Sequence, residues 1–105
     1  MKYLFPAKNA DWNTTLESRF GRAAGFVLYD EEKDSLLFIE NPNQNEGHGV
    51  GIQAAQTVIQ AGADVIVTSG PVGPKATEVL SQVNMKIIPD CGEITLKEAL
   101  KKAKS

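Results

Sequence analysis

A chain of 105 residues, 42% of them apolar, is long enough to close one core and too short for two, so a single domain is expected. Eleven lysines and arginines against thirteen aspartates and glutamates leave a formal charge of −2, and without a basic stripe to neutralise phosphates nucleic acid is excluded as a partner. No apolar run approaches the roughly 20 residues that cross a bilayer, the first six residues are far too short for a secretory segment, and one cysteine permits no intramolecular disulfide; a cytoplasmic protein with no membrane partner is expected.

In chain order, residues 2–7 read as a short strand, followed by a polar loop over 8–15 rich in Asn and Asp. Trp12 in that loop has two readings, a cap on one end of the core or a platform on which a ligand stacks. Residues 26–30 and 35–40 are apolar runs joined by the charged turn Glu31-Glu32-Lys33-Asp34, which predicts an antiparallel hairpin. Pro42, Asn43 and Asn45 break the pattern. A helix follows with Ile52, Ala55, Val58 and Ile59 on one face, and Gly62 ends it.

Residues 64–68 are nearly all β-branched and apolar, the composition of a central strand covered on both faces. Pro74 suits the first position of a helix whose buried stripe is Ala76, Val79, Leu80 and Val83. Residues 86–88 form a short last strand. Thr95 and Glu98 have the spacing of a capping box, and Leu96, Ala99, Leu100 and Ala103 give the last helix its apolar face. Lys97, Lys101, Lys102 and Lys104 read as its solvated, basic side.

This order predicts an α/β fold, a three-layer sandwich with a mixed five-stranded sheet in the order 3-2-1-4-5, strand 2 antiparallel, and helices on both faces. The C-terminal ends of strands 1, 3, 4 and 5 then share one edge. The loops at 8–15, 41–49, 69–73 and 89–93 should converge there with residues 20–23, at the place where open α/β sheets bind ligands.

Two glycine-rich turns run directly into helices: Gly47-His48-Gly49-Val50-Gly51 and Ser69-Gly70-Pro71-Val72-Gly73-Pro74-Lys75. Glycine allows close backbone approach and positive φ, and a first helical turn offers unpaired N–H groups at the positive end of the dipole, so Gly49, Gly51, Gly70 and Gly73 are candidates to bind an anion. Arg22 adds a planar fork of donors for sulphide, carboxylate or phosphate. His48, the chain's one histidine, and Cys91 are the candidate metal ligands. Each has a plainer alternative: turn geometry for the glycines, a surface ion pair for Arg22, an exposed loop for His48, and a small apolar filler for Cys91.

The segments Ser18-Arg19-Phe20-Gly21-Arg22-Ala23, Ile39-Glu40-Asn41-Pro42, Gly49-Val50-Gly51-Ile52-Gln53-Ala54-Ala55 and Gly70-Pro71-Val72-Gly73-Pro74-Lys75-Ala76 together resemble the dinitrogenase iron–molybdenum cofactor-binding family, from Met1 to about Lys102. The resemblance implies a ribonuclease H-like fold and a non-catalytic domain that carries an iron–sulphur or iron–molybdenum cluster, working with cofactor-assembly or nitrogenase proteins. Arg19 stands where that family often has histidine. A regulatory or scaffold domain binding a small phosphorylated or carboxylated metabolite at the same rim is the alternative. A metal-dependent nuclease fits poorly, because the first strand has no carboxylate and Asp30, Asp34, Asp64 and Asp90 fall at strand ends or turns. No nucleophile triad or GxxxxGK[ST] loop is present.

Overall fold

The structure, a computed structural model, describes residues 1–42, 47 and 49–105. Its elements are β1 (Lys2–Pro6), β2 (Gly25–Asp30), β3 (Ser35–Glu40), α1 (Val50–Gln60), β4 (Val65–Val67), α2 (Pro74–Ser81), β5 (Lys86–Ile88) and α3 (Leu96–Lys104). One sheet holds all five strands in the order β3-β2-β1-β4-β5. β2 runs antiparallel to both β1 and β3, while β1, β4 and β5 are parallel, so the expected order and direction are both found.

Alternation along the strands divides the core into two layers. Leu4, Phe26, Leu28 and Ile66 face α1 and α2, where they meet Ala54, Ala55, Val58, Ala76 and Leu80. Tyr3, Phe5, Val27, Val65 and Val67 face the other way, onto Leu96 and Ala99 of α3 and onto Leu16. β1, β2 and β4 are therefore covered on both faces, which is why Val65, Ile66 and Val67 form an unbroken apolar run. The two outer strands are more open, and Leu37 and Phe38 on β3 are exposed.

The capping box at α3 is formed: the Glu98 amide donates to Thr95 Oγ1 at 3.2 Å and the Thr95 amide donates to Glu98 Oε1 at 3.1 Å. One expected core position is corrected. Val83 is 48% exposed because α2 stops at Ser81 and the chain turns through Asn84 at φ 59, so Val83 falls in the turn and not on the helical stripe.

The polar loop after β1 also departs from expectation. Its start and finish stay near the sheet's upper edge, but Trp12 descends along the α3 face to meet Tyr29 edge-on, with ring centroids 5.0 Å apart. The Lys97 amide donates to Trp12 O at 3.1 Å and the Leu96 amide to Thr14 O at 2.9 Å, so the first turn of α3 holds this loop down. Trp12 is half-buried and covers one end of that layer. Among the described residues, no helix is long and apolar enough to cross a membrane.

Candidate functional site

Between β1 and β2 the chain crosses the upper edge of the sheet without regular structure. It is held there by backbone and by buried side chains. The Glu17 amide donates to Pro6 O at 2.8 Å and the Ala7 amide to Gly25 O at 3.0 Å, while Phe20 is buried against Phe26 at a centroid distance of 5.7 Å. Asn41, just past β3 and 1% exposed, donates its side-chain amide to both Gly21 O and Ala23 O at 3.0 Å. That clamp fixes the backbone on either side of Arg22.

Two close approaches bring this segment against the helix starts. A β-carbon on Gly21 would lie 2.9 Å from the Gly51 nitrogen, and one on Gly70 would lie 2.8 Å from Ser18 O, so both positions need glycine for packing. Gly49 and Gly73 stand at the N-caps of α1 and α2 with φ of 73° and 97°, and among the described residues neither helix start receives a side-chain cap. At α2 the Thr77 amide donates to Gly73 O at 3.0 Å, and the Thr77 hydroxyl donates to the same oxygen.

The result is a hollow of about 350 Å³ lined by Ser18, Arg19, Arg22, Gly51, Pro71 and Gly73 among others. Arg19 and Arg22 are both exposed. A second hollow of about 480 Å³ lies across the ridge formed by Pro71, Val72 and Gly73, with Thr77, Ile87, Pro89 and Asp90 on its far wall. Val72 is nearly buried and anchors the ridge between them.

The structure thus brings Arg22, Gly51 and Gly73 around one space. Gly70 lies behind it, supporting the Ser18 backbone, and Gly49 caps the adjacent helix. His48 lies outside the described residues. Cys91 is placed elsewhere: its amide donates to Thr68 O at 3.0 Å, its sulphur is 3.6 Å from Ile88 O, and the half-buried side chain packs in the α3 layer, on the other side of the sheet from Arg22. Among the described residues, no group of three or more His, Cys, Asp or Glu side chains is arranged to hold a metal ion.

Sequence reasoning gave Arg19 and Asn41 no role at the site. Arg19 shares the hollow with Arg22, three residues away on an irregular segment where no helical or strand period predicts which side chains face together. Asn41 was visible only as part of a motif, because its two acceptors lie 18 and 20 residues away in sequence.

No curated protein matches the chain. Among solved structures, it is similar to the apo form of the orange protein from Desulfovibrio gigas, at 34% identity over 98% of this chain and 86% of that one, with a TM-score of 0.91. A Thermotoga protein assigned to NifB is similar at 26% identity over the same shares, with a TM-score of 0.80. The family described as dinitrogenase iron-molybdenum cofactor matches residues 1–105. With that match spanning its whole length, the chain belongs to the dinitrogenase iron–molybdenum cofactor family.

Proposed function

We propose that this chain is a non-catalytic carrier that holds an anionic iron–sulphur or iron–molybdenum cluster in the hollow between the 18–22 segment and the starts of α1 and α2. The observation that carries the reading is the pairing of two exposed guanidinium groups, Arg19 and Arg22, with two helix starts whose N-cap residues are glycine, around one space. Guanidinium donors and first-turn amides both favour negative charge, and hydrogen bonds to charged groups contribute about 1.5–3 kcal/mol each. A hollow of about 350 Å³ is also in the range of small-ligand sites. The family's description names the iron–molybdenum cofactor, which supports this class of cargo.

On this reading the cluster is cargo, received from and passed to cofactor-assembly or nitrogenase proteins in the cytoplasm. His48, which lies outside the described residues, remains a candidate ligand. Cys91 would reach such a cargo only if the 89–93 loop rearranged, since its thiol faces the α3 layer. Anaerobic titration with iron–sulphur and iron–molybdenum clusters tests the proposal. Co-eluting metal and a new absorption band that Arg22→Ala weakens are expected; no spectral change and no bound iron reject it. The same donors would accept a phosphorylated or carboxylated metabolite, and metal-independent thermal stabilisation by sugar phosphates would favour that alternative.

A further inference from the structure

A further hollow lies on the α3 face, opposite the cluster site proposed above. It has a volume of about 530 Å³ and is lined by Trp12, Tyr29, Asp34, Lys97, Leu100 and Lys101, among others. Its walls combine three chemistries. One wall is aromatic: Trp12 meets Tyr29 edge-on at 73°, so this contact leaves the indole without a stacked protein ring. A second wall is cationic. Lys97 and Lys101 are one helical turn apart on α3, and among the described residues neither is within ion-pair distance of a carboxylate. The third group is Asp34, whose Oδ1 accepts the Tyr29 hydroxyl at 2.8 Å.

Helix electrostatics account for Lys101 but not for Lys97. Lys101 is in the last turn of α3, where the dipole favours a cation, whereas Lys97 is in the first turn, where the dipole opposes one. The hollow is also preformed. The Lys97 amide donates to Trp12 O, so the aromatic wall and the first lysine are joined through backbone, and Asp34 is held at φ 50 with its carboxylate on Tyr29.

From these groups we infer that the hollow binds a nucleoside phosphate. The base stacks on Trp12, a sugar hydroxyl donates to the Asp34 carboxylate, and the phosphate lies between Lys97 and Lys101. Stacking of a base on an aromatic side chain contributes about 1–3 kcal/mol, and side chains one helical turn apart are surface neighbours, so both ammonium groups can donate to one phosphate. A metabolite with a phosphate and no ring leaves Trp12 unused, and a neutral aromatic leaves the lysines unused.

Trp12 is the chain's one tryptophan, so its fluorescence reports on this hollow alone. The test titrates the full chain with ADP, adenosine and inorganic phosphate, following Trp12 emission and the heat of binding. ADP should quench Trp12 saturably and bind at least about tenfold more tightly than adenosine or phosphate. The double substitution Lys97→Ala and Lys101→Ala should weaken ADP by at least about tenfold, whereas Lys75→Ala, on α2, should leave it unchanged. The inference is overturned if ADP does not saturate, if it binds no better than adenosine or no better than phosphate, or if the double variant binds as well as the unaltered chain. None of these outcomes depends on a cluster being bound at Arg22.

Discussion

The carbonyl oxygen of Ser18 sits 2.8 Å from the point where a β-carbon on Gly70 would stand. A methyl group there meets a backbone oxygen, which cannot rotate away as a side chain would. Gly70→Ala should therefore push the 18–22 segment off the 69–73 turn and destabilise the fold by about 1–3 kcal/mol, the usual cost of overpacking. Denaturant unfolding measures this, and the same variant should bind cluster more weakly because Arg19 and Arg22 ride on the displaced segment.

Asn41→Ala should be as damaging without adding any atom. It removes the side-chain donor from Gly21 O, which is part-buried, and from Ala23 O, which is buried, and a buried group left unsatisfied costs about 1–3 kcal/mol. The expected readout is a lower denaturation midpoint with an unchanged slope, together with faster amide exchange across residues 20–24.

Glu98 supplies a pH signature. Its hydrogen bond from the Thr95 amide, and then that from the Thr95 hydroxyl, hold its carboxyl below the ordinary glutamate range. A group with a lowered folded pKa stabilises above its unfolded value, and that contribution disappears as pH falls through the folded value. Stability should thus decline as glutamates protonate. In Glu98→Gln, part of that decline should be absent, with the loss already present at neutral pH. Unfolding midpoints from neutral to acid pH check this. Glu31, lowered by its hydrogen bond to Lys104, acts in the same direction.

The arginine hollow is solvent-exposed, so its attraction for an anion should be screened by salt. Cluster affinity should fall as ionic strength rises. Arg22→Ala should lower it by about tenfold, and Arg22→Lys should give an intermediate value because the ammonium keeps the charge but loses the planar fork. Cys91→Ser should change affinity by less than about twofold, since the thiol is on the other side of the sheet. Equal loss in Cys91→Ser and Arg22→Ala would contradict this placement.

Periodicity made most of the scaffold legible. The β-branched run at 65–67, proline at the start of α2 and the Thr95–Glu98 spacing each reflect a local rule, and each element was found. What local rules did not reach was the irregular chain. Val83 continued the stripe of α2 on paper, but the helix had already ended. Trp12 could be assigned to the core, yet its descent to Tyr29 depends on amides of α3 more than 80 residues later. The site shows the same division: the glycine turns could be read as helix starts, while the Asn41 clamp and the shared hollow of Arg19 and Arg22 arise from contacts distant in sequence.

Backbone-on-backbone support has a consequence for how this wall can change. Because Gly21, Gly70 and Asn41 fix the course of the chain, the exposed side chain at 19 is a replaceable fitting on a rigid socket. Arg19→His, which introduces a potential metal donor, should alter stability by less than about 0.5 kcal/mol, as surface substitutions usually do. A lineage could in this way exchange a charge-based grip for a coordinating one, and so accept a different payload, without rebuilding the frame.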